Sequence, residues 1–204
     1  MFDRTASRLI TPTIERLALW LRPLGIGANQ MTLLGFATGM LAAGLIAAQH
    51  HAGAVVAILL SRLCDALDGA IARRAGGSGP TDAGGFLDIA LDFVFYASIP
   101  LAFALADPAR NALAAAVLLA AFCGTMSSFL AFAVIAAKRR LDNLAWPQKS
   151  FYFLGGLTEA TETLACFVAM CLWPAHFATL AFVFAALCAI TTATRIWWGW
   201  RAFS

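Results

Sequence analysis

Residues 65–73 read Asp65-Ala66-Leu67-Asp68-Gly69-Ala70-Ile71-Ala72-Arg73, and residues 84–92 read Gly84-Gly85-Phe86-Leu87-Asp88-Ile89-Ala90-Leu91-Asp92. Both stretches lie in runs that are otherwise apolar enough to cross a bilayer, so the carboxylates are the anomaly to explain. On helices, Asp65 and Asp68 are three apart and Asp88 and Asp92 four apart, which puts each pair on one helical face. Two such faces brought together make a nest of four carboxylates. An isolated carboxylate near the middle of a bilayer costs about 3 kcal/mol on insertion scales, so each needs a partner, an aqueous cavity or a cation. Hard oxygen ligands suit Mg²⁺, Mn²⁺ or Ca²⁺ better than zinc, and Cys64, the one soft ligand nearby, is expected to point away from Asp65. Three readings stay open at this level: a divalent-metal site, a proton or ion pathway, and a helix contact in which Arg62 and Arg73 pair with the acids.

The remainder of the chain sets these helices in a membrane. Of 204 residues, 61% are hydrophobic and 12% charged, with a mean hydropathy of +0.80, which argues against a soluble globule, a disordered segment or a coiled coil. Runs of roughly 20 apolar residues predict six transmembrane helices, at 31–49, 53–75, 84–105, 112–137, 151–173 and 175–198. Breaks are expected at His50-His51, at 76–80, at Asp107-Pro108, at 138–148 and at Pro174. All six tryptophans fall near these ends, where an amphipathic ring sits at headgroup level. The five cysteines lie in apolar stretches without the close pairing of a zinc site and read as packing residues.

Arg4, Arg8, Arg16, Arg22, Arg73, Arg74, Lys138, Arg139, Arg140, Lys149, Arg195 and Arg201 collect on the side shared by both termini, whereas the opposite loops offer Arg110. The positive-inside rule therefore predicts cytoplasmic termini and a site facing the cytoplasm. Residues 1–30 lack the pattern of a signal peptide and read as an amphipathic interfacial segment ahead of a membrane domain at 31–204. Within it, Thr11 is expected as the N-cap, Pro12 as the first helical residue, and Ile14, Leu17, Trp20 and Leu21 as the apolar stripe. Gly35 and Gly39 form a small-xxx-small step that lets another helix approach closely.

The two opening stretches together resemble the signature of the CDP-alcohol phosphatidyltransferase family: Asp65, Asp68-Gly69, Ala72-Arg73, a spacer, then Gly84, Asp88 and Asp92 at fixed intervals. All eight specified residue types are present; the ten residues between Arg73 and Gly84 make a longer spacer than the family's usual one. The resemblance implies an all-α, polytopic membrane protein of six spans preceded by an amphipathic helix. It also implies transfer of a phosphatidyl or similar group from a CDP-linked lipid such as CDP-diacylglycerol to an alcohol, with release of CMP, in phospholipid biosynthesis.

On the same footing, Asp65, Asp68, Asp88 and Asp92 are the expected ligands of two ions, Mg²⁺ or Mn²⁺, and Asp92 is also the base that takes the acceptor's proton. Asn29, Thr32, Asp65, Gly69, Ala72, Arg73, Thr81 and Gly84 are expected to meet the donor nucleotide. Gly69 leaves room for close approach, Arg73 brings a guanidinium to phosphate oxygens, and Gly84 stands beside a helix N-terminus that welcomes anions. Lys138, Arg139, Glu159 and Glu162 are the candidate acceptor-side groups; the acids weaken the case for an inositol-phosphate or glycerol-phosphate acceptor.

A homodimer in the bacterial cytoplasmic membrane, packed through apolar helix faces such as that near Gly35, is the expected assembly. The competing classes are a small proton- or ion-coupled transporter, which predicts flux without nucleotide binding, and an intramembrane prenyltransferase with differently arranged aspartates.

Overall fold

A computed structural model describes residues 3–21, 25–74, 81–139 and 157–204, and among them the structure is helical with short connections. The helices are α1 (Asp3–Leu21), α2 (Ala28–Ala47), α3 (His51–Arg74), α4 (Asp82–Ala106), α5 (Pro108–Lys138), α6 (Ala160–Leu172) and α7 (Phe177–Phe203), with a 3₁₀ turn at Pro174–His176 before α7. The expected all-α architecture therefore holds. Trp146, Lys149, Arg22, Arg140 and the expected break at 76–80 lie outside the described residues.

Helices α2, α4, α5 and the run Pro174–Phe203 are long and apolar enough to cross a membrane. Helix α3 has 24 residues, enough for about 36 Å at 1.5 Å per residue, but the acids and arginines of the signature depress its apolarity. Large apolar side chains face outward along the bundle, among them Leu41, Val56, Leu101, Leu113, Val134, Val183 and Ile190. Water would penalise that surface and lipid does not, so the chain is an integral membrane protein.

Helix α2 packs against α3 and α4, α4 against α5, α5 against α7, and α6 lies between α3 and α7. Phenylalanines join these layers. Phe167 of α6 meets Phe95 of α4 and Phe122 of α5 edge-on, Phe122 meets Phe184 of α7, and Phe103 stacks on Phe177 at 4.4 Å. Edge-to-face and offset contacts suit the ring quadrupole, and each of these rings is buried.

Turn chemistry explains the element boundaries. The α2–α3 connection closes with the His50 N–H donating to Leu45 C=O and Gln49 N–H to Ile46 C=O, around a left-handed Gln49 at φ 62°. Gln49 Nε2 also donates to Ala106 C=O, tying this turn to the end of α4. Asp107 ends α4 and caps α5 by accepting from Arg110 N–H at 3.2 Å, with Pro108 in the first helical turn where its missing N–H costs nothing.

Three expectations need correction. Helix α1 passes through Pro12 instead of starting beside it, so Thr11 is an interior residue and not the N-cap. Proline already holds a helical φ, and the bond it forfeits lies where Thr11, Pro12 and Thr13 are exposed. The inward face of α1 is Ile14, Ala18 and Leu21, spaced by four and three and set on Met31, Leu67 and Ala70, while Leu17 and Trp20 point outward.

In the fifth predicted span, residues 157–159 are not helical, and α6 begins only at Ala160. Glu159 is its N-cap, and the Glu162 carboxylate accepts the Glu159 N–H at 3.2 Å.

The Gly35–Gly39 step lets helices approach closely within the protomer. A Cβ on Gly35 would stand 3.0 Å from Cys64 Cβ of α3, and one on Gly39 2.6 Å from Phe95 Cδ2 of α4.

Candidate active site

The Gly35 and Gly39 contacts draw α2, α3 and α4 together, and a narrow cleft runs between them. Its walls are Thr32, Gly35 and Phe36 of α2, Arg62, Asp65 and Asp68 of α3, and Asp88, Leu91, Asp92 and Phe95 of α4. Helical spacing thus delivers both acidic faces to one cavity, and all four aspartates line it. One carboxylate oxygen each from Asp65, Asp88 and Asp92 lies within 4.8 Å of the others, a grouping of hard donors that can hold a divalent cation. Asp68 is 7% exposed, and its Oδ2 accepts from Thr32 Oγ1 at 2.7 Å, which orients the carboxylate from the neighbouring helix.

Arg62 is the site residue that the signature did not supply. Its Nη1 donates to Asp92 Oδ1 at 2.8 Å and stands 3.5 Å from Asp65 Oδ2, so one guanidinium joins the acids of α3 to those of α4. The guanidinium carbon lies 4.4 Å from the Phe95 ring centroid and 5.7 Å from that of Tyr96. The signal in the sequence was an arginine inside an apolar helix, one turn before Asp65, which by itself demands a partner.

Of the residues expected to meet the nucleotide, Thr32 and Asp65 line the cleft, whereas Asn29, Gly69, Ala72, Arg73, Thr81 and Gly84 lie outside that lining. Thr81 caps α4 by accepting the Gly84 N–H at 3.1 Å. A Cβ on Gly84 would stand 3.0 Å from Asn29 Oδ1 and 3.1 Å from Thr81 Oγ1, so Asn29, Thr81 and Gly84 converge at the N-terminus of α4. Arg73 is exposed near the end of α3, with Nη1 3.2 Å from where a Gly69 Cβ would be. Ala72 is half-buried one residue before it. Phe86 and Ile89 of α4 flank Asp88 and face outward, at 75% and 42% exposure.

The candidate acceptor-side residues stand apart from this lining. Arg139 Nη2 donates to Phe203 C=O at 2.5 Å and its guanidinium lies over the Phe203 ring, which ties the end of α5 to the end of α7. Lys138 is exposed beside it. Glu159 and Glu162 form the cap of α6. Among the described residues that line the α2–α3–α4 cleft, none of these four appears.

The sequence pattern of CDP-alcohol phosphatidyltransferases matches residues 26–198, which include every helix that builds the cleft. The chain belongs to the CDP-alcohol phosphatidyltransferase family. Its curated relatives include the Escherichia coli (strain K12) inner membrane protein YnjF, 53% identical over 200 residues covering 98% of this chain and 96% of that one. They also include the archaetidylinositol phosphate synthase of Pyrococcus horikoshii, 37% identical over 97 residues, 48% of this chain and 50% of that one.

Among solved structures, the phosphatidylinositol phosphate synthase of Mycobacterium tuberculosis with CDP-DAG bound superposes with a TM-score of 0.67 at 21% identity, covering 92% of this chain and 93% of that one. The same protein in complex with manganese and citrate gives 0.65, again at 21% identity, over 92% and 88% of the two chains. These likenesses establish that the helical arrangement is shared. In this chain the four acids stand where α2, α3 and α4 converge.

Proposed function

We propose that the chain transfers a phosphatidyl or related substituted phosphate group from a CDP-linked lipid, such as CDP-diacylglycerol, to an alcohol, releasing CMP during phospholipid synthesis. The observation that carries this reading is the convergence of Asp65, Asp88 and Asp92 oxygens within 4.8 Å in a cleft that also contains Asp68. Hard carboxylate donors from two helices fit Mg²⁺ or Mn²⁺, and two such ions would neutralise the donor's diphosphate and the departing CMP.

In this reading Asp65, Asp68 and Asp88 serve as ligands, with Thr32 fixing the orientation of Asp68. Asp92 serves as ligand and base. It takes the proton of the acceptor hydroxyl while that oxygen bonds to the lipid-bearing phosphorus, and the bond between that phosphorus and the CMP oxygen breaks. Arg73 and the N-terminus of α4, with Asn29, Thr81 and Gly84, hold the nucleotide and its phosphates. Gly69 and Ala72 belong with Arg73 to the nucleotide side. Lys138, Arg139, Glu159 and Glu162 belong to the acceptor side.

The same reading places the protein in the bacterial inner membrane as a homodimer, with both termini and the cleft on the cytoplasmic side. The basic residues near the cleft end, Arg16, Arg73, Lys138, Arg139 and Arg201, support that orientation, and the 53% identity to an Escherichia coli inner membrane protein supports the location.

The test is CMP release by the purified protein in detergent with CDP-diacylglycerol and Mg²⁺ or Mn²⁺ across a panel of alcohols, alongside Asp92→Asn. Metal-dependent release with one acceptor, lost in the variant, is the expected result. Absence of nucleotide binding would overturn the assignment and favour the transporter.

A further inference from the structure

We propose that Arg62 is a positioning residue for Asp92, holding one oxygen of that carboxylate so that the other is presented to the reacting hydroxyl. The inference rests on the transferase reading of the site. Four aspartates line the cleft, and among the described residues that line it Arg62 is the one cation. A side chain this long on a membrane helix ordinarily extends toward the headgroups. Here it turns inward and is only 15% exposed.

Its hydrogen bonds are unequal: Nη1 donates to Asp92 Oδ1 at 2.8 Å, but lies 3.5 Å from Asp65 Oδ2, the acid on its own helix. The primary partner is thus the proposed base, across the helix interface. Three contacts fix the fork. The Phe95 ring lies 4.4 Å below it, the Tyr96 ring 5.7 Å away, and Nη2 reaches Ser61 Oγ at 3.4 Å. Ser61 in turn donates to Gly35 C=O at 2.7 Å, anchoring the arrangement on α2.

Nε is buried and has no hydrogen-bond partner among the described residues. The guanidinium engages Asp92 through one oxygen.

Arg62→Met keeps the length and apolar stem, and Arg62→Lys keeps the charge without the planar fork. Both are made in the full chain, purified in detergent, with Mn²⁺ binding followed by electron paramagnetic resonance and turnover by CMP release. For Arg62→Met the expected result is Mn²⁺ affinity and donor KM within about threefold of wild type and kcat lower by at least about tenfold. Arg62→Lys restores part of the loss and leaves Mn²⁺ affinity unchanged. If Arg62→Met does not fold, Arg62→Lys still decides, because wild-type kcat with a lysine there would refute the need for the fork.

Unchanged kcat in Arg62→Met overturns the proposal, as does binding of an additional Mn²⁺ with kcat retained, which would make Arg62 a mere filler of a cation position. Wild-type protein that neither binds Mn²⁺ nor releases CMP refutes the transferase reading and this inference with it. Wild-type activity with an indifferent Arg62→Met refutes the inference alone.

Discussion

Gly39→Ala tests whether the cleft is built by close helix approach. The added Cβ would stand 2.6 Å from Cδ2 and 3.1 Å from Cε2 of Phe95, and 3.1 Å from Ser61 Oγ. Phe95 is 1% exposed and wedged between Tyr96 and Phe167, so its ring cannot swing aside without disturbing both. Overpacking of this kind costs about 1–3 kcal/mol.

Alanine also gains about 1 kcal/mol over glycine in a helix, so the variant's net change falls between about neutral and 2 kcal/mol destabilising. Gly44→Ala on the same helix separates the two contributions, because nothing lies within 4 Å of its Cβ position. The difference between the variants therefore isolates the contact, and at a few degrees per kcal/mol it separates their thermal midpoints by several degrees. Thermal unfolding in one detergent, read by tryptophan fluorescence, measures it. The displaced ring is also the floor beneath Arg62, so CMP release should fall in Gly39→Ala and persist in Gly44→Ala. Equal midpoints for the two variants would refute the claim that Gly39 sets the α2–α4 distance.

Other predictions follow from single contacts. Asp92→Asn should lower kcat by about 10²-fold or more while donor binding persists, read by CMP release and by nucleotide titration. Thr32→Val removes the hydroxyl that orients Asp68 and should weaken Mn²⁺ binding by about tenfold or more, measured calorimetrically, with Thr32→Ser retaining most of the affinity. Gly84→Ala crowds Asn29 and Thr81 and should raise donor KM more than it lowers kcat. Chelation should abolish CMP release, and Mg²⁺ or Mn²⁺ should restore it; activity that survives chelation would remove the metal from the reaction.

The four aspartates were legible because their spacing matches helix periodicity and their charge is costly in an apolar run. Periodicity assigns a residue to a face but does not say which neighbouring helix that face meets. The Arg62–Asp92 pair and the Thr32–Asp68 bond span 30 and 36 residues and exist only once α2, α3 and α4 are packed. Gly35 and Gly39 signalled close approach correctly, yet the sequence left open whether the neighbour was another copy or the same chain.

The start of α6 was hidden because an acidic N-cap with Glu162 three residues on lacks the Ser or Thr that usually marks a capping box, and its carboxylates looked like cavity charges. Pro12 misled in the opposite direction, since proline is commoner at a helix start than within one.

Phe86 and Ile89 place exposed apolar side chains at the level of Asp88. If the donor is the proposed CDP-linked lipid, it would reach the acids by sliding in the plane of the membrane, with its tails never entering water. Encounter becomes a two-dimensional search, governed by the donor's mole fraction in the surface and not by its bulk concentration. Diluting mixed micelles with inert detergent at fixed donor concentration should then slow turnover as though substrate had been withdrawn.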